Sequence, residues 1–292
     1  MRLGCVPPLF NAATIEELDS LIDRLDAHGL SAICAPGKIH TWPNDACSAY
    51  GEKARGLGLE IGEVGMWENL MHPDEEVRER NIQRMREVLG KADQMGVSNA
   101  VSLVGSRDPS GSPLAPAAEN FTSAFREAFR EVVLRVLDGL ELRHTRYLLE
   151  TWPNTGLCEP EALKALVEDV GHPAFGLHFD PCNFHLREWV FRSTERIEGL
   201  FREIGHLCHS VHFKDVHWDG SRVQWLVKLD EVRIGEGTMD YPTLLRKIED
   251  HFPVDVCCYC EHLATEADYI YNFEQLHRLA AAQGLRFKRR GE

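Results

Sequence analysis

YLLETWPNTGLCEPEALKALVEDVGHPAFGLHFD, residues 147–180, decides the fold. It opens on a short apolar run, YLLETW (147–152), passes through a loop with Pro153 and Gly156, and enters a helix-period stretch near 159–170. It then returns to a second apolar run, FGLHFD (175–180). Short apolar runs bounded by turn residues read as buried strands, and a strand–helix–strand order implies two parallel strands joined by a crossover. Each run closes on an acid, Glu150 in the first and Asp180 in the second. In a parallel β/α barrel all strand C-termini share one face, and that face carries the chemistry.

The same rhythm extends in both directions. Toward the N-terminus, LGCVPPLF (3–10), SAICAP (31–36), LEIGEVGMW (59–67) and NAVSLVG (99–105) read as strands one to four. Between them a helix is expected from a Thr14 cap to Gly29, a second over 44–57 and a third from Pro73 to Gly96. The proline-containing segment 106–115 is a βα loop, and a fourth helix is expected over 117–142. Toward the C-terminus come a helix over 192–207, strand HSVHFKD (209–215), a longer loop over 216–239, a short helix over 241–251, strand VDVCCYCEHL (254–263) and a last helix over 266–282. Count, order and length predict a (β/α)8 TIM barrel, a single domain spanning 1–292. The competing open doubly wound sheet lacks a Gly-x-Gly-x-x-Gly after strand one, and the GEG at 235–237 reads as a turn.

Composition narrows the function. The formal net charge is −14, from 32 basic and 46 acidic residues, which argues against nucleic acid and against an anionic membrane surface. Nine cysteines form no disulfide framework, and Cys257, Cys258 and Cys260 crowd one strand. Reduced, packed thiols suit a cytoplasmic protein. No apolar stretch is long enough to span a bilayer, and Pro7-Pro8 interrupt what would be the apolar part of a signal peptide.

The chemistry concentrates on four residues at matching depth on consecutive strands: Glu150, Asp180, His212 and Glu261. Strand alternation places Glu150 with Leu148 and Trp152, Asp180 with His178, His212 with Ser210 and Lys214, and Glu261 with Tyr259. If those faces point inward, three carboxylates and an imidazole meet near the upper rim. Carboxylates facing one another repel, and a divalent cation resolves the repulsion. Around them, Lys214 is expected to position a hydroxyl or enolate oxygen, Asp215 to orient a loop, and Trp67 and Trp152 to wall a sugar ring. Glu68 and Asn69 are placed to reach hydroxyls, Arg107 to meet an anionic group, and His178 to pack one layer below.

Several segments together resemble a known family. ENLMHPDEEVRERNIQRMREVLGKADQMG (68–96), LLETWPNT (148–155), FGLHFDPCNF (175–184), HSVHFKDV (209–216), GEGTMDYPTLL (235–245) and CEHL (260–263) are similar to the xylose isomerase-like TIM barrels of the sugar phosphate isomerase/epimerase superfamily. Members include ketose 3-epimerases, inosose dehydratase, hydroxypyruvate isomerase and 3-keto-glucoside epimerases. The resemblance implies that Glu150, Asp180, His212 and Glu261 hold a divalent metal, Mn2+ first, with Mg2+, Co2+ or Zn2+ as alternatives. It implies a small carbohydrate substrate, an enediolate intermediate, and Glu150 and Glu261 as the acid/base pair of an isomerase or epimerase. A dehydratase or keto-glycoside lyase on the same site is the alternative, and the resemblance also admits a homo-oligomer. Two positions depart from the family pattern. Asn183 stands where a histidine is common, with His185 two residues on as a substitute, and Gly156 stands where ketose 3-epimerases carry a second glutamate.

Overall fold

The computed structural model describes residues 1–219 and 229–292. The chain runs through β1 (Arg2–Cys5), β2 (Ala32–Cys34), β3 (Glu60–Met66), β4 (Asn99–Leu103), β5 (Arg146–Glu150), β6 (Phe175–Phe179), β7 (Cys208–Phe213), a hairpin of β8 (Asp215–Trp218) and β9 (Leu229–Val232), and β10 (Cys257–Cys260). Eight of these pair in parallel in the order β1-β10-β7-β6-β5-β4-β3-β2. The two ends of the sheet approach each other where Ser31 N donates to Leu3 O at 3.0 Å, so the barrel is nearly closed. This is the predicted TIM barrel. Its strands are buried on both faces because helices cover the outside and side chains fill the inside.

The helices are α1 (Glu17–Ala27), α2 (Asn44–Gly56), α3 (Glu75–Met95), α4 (Ser123–Leu137), α5 (Pro160–Val170), α6 (Ser193–Ile204), α7 (Tyr241–His251) and α8 (Glu266–Ala282). Each presents an apolar stripe to the barrel: Phe125, Phe129, Val132, Val133 and Val136 on α4 recur at three- and four-residue steps and are all buried. Inside the barrel, Ala32, Cys34, Cys257 and Tyr259 form a separate small cluster below the rim. Tyr259 Oη donates to Ile33 O at 3.0 Å, which satisfies its buried hydroxyl and fixes the floor of the site.

Three expectations are corrected. The first helix starts at Glu17, not at a Thr14 cap, because Glu17 Oε2 takes the Ala13 N–H at 2.7 Å and turns the chain there. The stretch expected as one helix over 117–142 is a 3-10 turn (Ala118–Phe121) followed by α4, with Thr122 accepting from Phe125 N; Phe121 is thereby turned to solvent. The expected strand over 209–215 ends at Phe213, and the expected loop over 216–239 contains the antiparallel β8–β9 hairpin, whose connection over 220–228 lies outside the described residues.

Candidate active site and metal centre

Register places the four rim residues together. Glu150 ends β5, Asp180 follows β6, His212 lies near the end of β7, and Glu261 follows β10. One ligand atom from each lies within 4.8 Å of the others, and all four residues are buried. His212 Nδ1 is 3.0 Å from Glu261 Oε1 and 4.0 Å from Glu150 Oε2. Lys214 Nζ reaches in from the break between β7 and β8 and stands 2.6 Å from both Asp180 Oδ2 and Glu261 Oε1.

The donor set fits a hard divalent cation. Asp180 Oδ2, Glu261 Oε1 and His212 Nδ1 are buried atoms with no hydrogen-bond partner, since the short contacts to Lys214 and between His212 and Glu261 are poorly aimed as hydrogen bonds. Three ligand atoms without a well-aimed hydrogen bond thus lie together, with the Lys214 ammonium beside two of them, an arrangement that a cation would satisfy. A carboxylate-rich shell with one imidazole matches Mg2+ or Mn2+ and also admits Zn2+.

Burial and mutual charge set the protonation pattern. Burial, reinforced by the charges of Glu261 and Asp180, raises Glu150 well above the usual carboxylate range, against the pull of His212. Burial works the same way on Glu261, but His212 and Lys214 outweigh it and hold that carboxyl well below the usual range. His212 is raised despite burial because Glu261 and Glu63 face its two nitrogens. Lys214 is raised despite burial by Asp180 and Glu261. Two carboxyls a few ångströms apart are thus pushed in opposite directions while no cation is bound.

The remaining sequence candidates divide. Asn183 donates to Glu150 Oε1 at 3.1 Å and to Thr151 O at 2.9 Å, so it holds a carboxylate in place. Trp67 and Trp152 line a cavity of about 550 Å3 that also meets Glu63, Glu150 and Glu261. Trp152 lies under the Lys214 ammonium, 5.7 Å from its ring centroid. His178 packs edge-on against His212, with ring centroids 3.9 Å apart, and its Nδ1 meets Ser210 Oγ at 2.6 Å. Asp215 accepts four backbone N–H groups, from Val216, Gly235, Gly237 and Met239. The GEG segment is therefore wrapped around a buried carboxylate.

Others are not brought to the site. Arg107 points to His72 O and Glu119 and is not among the residues that line the cavity. His185 is fully buried with Nδ1 against Pro181 O and Nε2 against Ser193 Oγ, and burial pushes it down to about 4. It cannot take the place of the missing histidine at 183. Glu68 pairs with Arg84, and Asn69 is consumed by the 105–111 loop, donating to Ser106 O and Gly111 O.

Three residues of the site escaped the sequence reading. Glu63, inside β3, sets Oε1 3.2 Å from His212 Nε2 and Oε2 3.6 Å from His178 Nδ1. A carboxylate on the far nitrogen fixes the tautomer and plane of a ligating histidine. The available signal was a lone charge at an inward position of EIGEVGM (60–66). The other two, Glu231 and His262, meet at 2.9 Å on the rim; His262 Nε2 is 3.6 Å from Glu261 Oε2. Only the hairpin geometry shows that contact.

Among the described residues no helix is long and apolar enough to cross a membrane. None of the curated protein sequences matches this chain. Solved structures do, at the level of fold. A 3-keto-D-glucoside 4-epimerase from E. coli is 14% identical, with a TM-score of 0.66, covering 96% of this chain and 99% of that one. A probable 3-DHS dehydratase from Bacillus anthracis is 15% identical, with a TM-score of 0.67, over 94% and 98%. A Mycobacterium smegmatis barrel solved with magnesium is 17% identical, with a TM-score of 0.66, over 96% and 94%. The sequence profile described as xylose isomerase-like TIM barrel matches residues 22–287.

Proposed function

Because the chain belongs to the xylose isomerase-like TIM barrel family, we propose that it is a divalent-metal-dependent sugar isomerase or epimerase acting on a keto-sugar or keto-glycoside through an enediolate. The observation that carries this reading is which ligands face the substrate. Glu150 and Glu261 line the cavity, whereas Asp180 and His212 are fully buried behind them. A cation held by the four residues supplies Lewis acidity toward a ketone oxygen. Mn2+ is the first ion to test and Mg2+ the second, in keeping with the magnesium of one structural relative.

The chain's own groups then move the proton. Glu261, held ionised by His212 and Lys214, takes the proton α to the carbonyl. Glu150, which also lines the cavity, is the group that would return a proton from its own side, the raised position burial gives its carboxyl being that of the site without its cation. Return to the same carbon from the other face gives epimerisation, and return to the adjacent carbon gives isomerisation. Asn183 keeps Glu150 aimed, and Glu63 keeps His212 in its ligating orientation.

The test is proton NMR in D2O of Mg2+-loaded enzyme with free ketoses, inososes and 3-keto-glycosides. Deuterium is expected to enter the carbon next to the carbonyl and to stop entering in Glu150→Gln and Glu261→Gln. A new sugar signal identifies an isomerase or epimerase. An enone or a released aglycone identifies instead a dehydratase or lyase on the same site. Absence of exchange with every compound, in protein shown to bind metal, would overturn the enolisation mechanism.

A further inference from the structure

We infer that the substrate carries a neutral, apolar aglycone, aryl in the first instance, seated on Trp67 and Leu114 beside the reacting sugar. The inference rests on the reading above that Glu150 and Glu261 face that sugar.

Size is the first argument. The cavity holds about 550 Å3, room for about 18 waters at their liquid share of ~30 Å3 each. A hexose has twelve non-hydrogen atoms and leaves a substantial part of that space open. The lining is the second argument. Apart from the carboxylates at its base and His262, the wall is mostly apolar, with Val64, Leu103, Leu114, Trp67 and Trp152 among its residues. A bare sugar needs hydrogen-bond partners around its rim, and hydroxyls pressed against such a wall would be desolvated without compensation.

Charge is the third argument. Among the described residues, the ionisable side chains lining the cavity are Cys34, Glu63, Glu150, Glu261 and His262, and no arginine or lysine lines it. The nearby ammonium of Lys214 is already shared between Asp180 and Glu261. Among these residues a phosphate or carboxylate on the far end of the substrate would meet three carboxylates and one imidazole, His262, that Glu231 already holds at 2.9 Å, which favours an uncharged occupant.

The fourth argument is that the wall is held ready. Trp67 and Leu114 are two of the few large apolar side chains left exposed, at 43% and 40%. Trp67 keeps its position because residue 65 is glycine: a Cβ there would come within 2.4 Å of the indole carbons Cε2 and Cζ2. An indole laid flat on a strand backbone, half open to a cavity, is a platform for another ring.

The experiment compares phenyl and methyl β-D-glucopyranoside, neither of which can react, by titration calorimetry on the Mg2+-loaded protein. The phenyl compound is expected to bind about tenfold or more tightly than the methyl compound. The ratio should fall toward one in Trp67→Ala and in Gly65→Ala, which displaces the indole without removing it. Equal affinities in the unmodified protein, or a preference undiminished in both variants, would overturn the inference. Deuterium exchange into the phenyl and methyl 3-keto-glucosides is read separately. Exchange with both at equal kcat/KM would overturn the aglycone while leaving the proposed function intact. A phenyl preference in binding with no exchange in either, nor in any of the ketoses and inososes, would overturn the proposed function, and with it the assignment of this wall to a substrate.

Discussion

Lys214→Met isolates what the site does without its cation. The ammonium is buried and stands 2.6 Å from two carboxylates, so it is the shared counter-charge of Asp180 and Glu261. Removing one partner of a buried pair typically costs about 3–5 kcal/mol. Here the cost has a ceiling, because one carboxyl can take up a proton instead. From an ordinary glutamic acid near 4.3, that uptake costs about 3.7 kcal/mol at pH 7 and about 1 kcal/mol at pH 5. The sign follows from Glu261, which is held well below its usual range. Its stabilisation is present above about 4.3 and lost as pH falls, while the share owed to Lys214, raised from its usual value, is complete at every pH below about 10.4. For 292 residues the unfolding entropy is about 0.6 kcal/mol/K. In EDTA the variant should therefore melt about 6 °C below the unmodified protein at pH 7 and about 2 °C below it at pH 5. Differential scanning fluorimetry reads both. A midpoint within about 1 °C at pH 7, or an equal drop at both pH values, would refute the counter-charge argument. Saturating Mn2+ should narrow the gap at pH 7, and a gap that Mn2+ leaves untouched would mean that the ion does not reach these carboxylates.

Two further predictions concern the frame. Asp93 on α3 accepts the N–H groups of Arg143, His144 and Thr145 through Oδ1 at 2.8, 2.6 and 3.0 Å. Burial opposes its ionisation, but these bonds win and lower it. Asp93→Ala should lower urea stability by about 2–3 kcal/mol at pH 7. The difference should shrink below pH ~4, as the unmodified protein loses the same contribution; a difference that grows in acid would contradict this. Glycines offer a paired test. Gly237→Ala puts a Cβ 2.1 Å from Asp215 Oδ1 and 2.6 Å from Val216 O and should cost about 1–3 kcal/mol. Gly90→Ala, exposed on α3 with nothing within 4 Å, should gain about 0.5–1 kcal/mol. Urea midpoints with the same sign for both substitutions would show that local space does not decide the outcome.

What the chain discloses before folding depends on whether the signal is periodic. The helices over 241–251 and 266–282 lie where the pattern put them, because a 3.6-residue stripe and its caps are local properties. Glu150, Asp180, His212 and Glu261 were legible because a strand end fixes both depth and direction, and four strands repeated the same message. Glu63 was not read, although it lies on a strand, because a charge within an apolar run has no partner until β3 and β7 face each other across the barrel. Arg107 and His185 turn away from the cavity for a different reason. Both sit in loops, where direction is set by contacts such as His185 with Ser193 that no spacing rule encodes. Phe121 matched the helical stripe and yet lies outside α4, since Thr122 as a cap outcompetes the pattern.

The Asp215 carboxylate has a consequence for how the rim opens. Its four amide donors come from residues 216 to 239, so a hairpin strand and the turn that follows are tied to one side chain. Breaking that node frees all four at once. Amide hydrogens of Val216, Gly235, Gly237 and Met239 should therefore exchange with solvent as one cooperative group, at a common opening free energy, instead of fraying one by one. Glu231 lies on the same hairpin, so the opening would also part it from His262, and the exchange rate of four backbone amides would then serve as a clock for the mouth of the barrel.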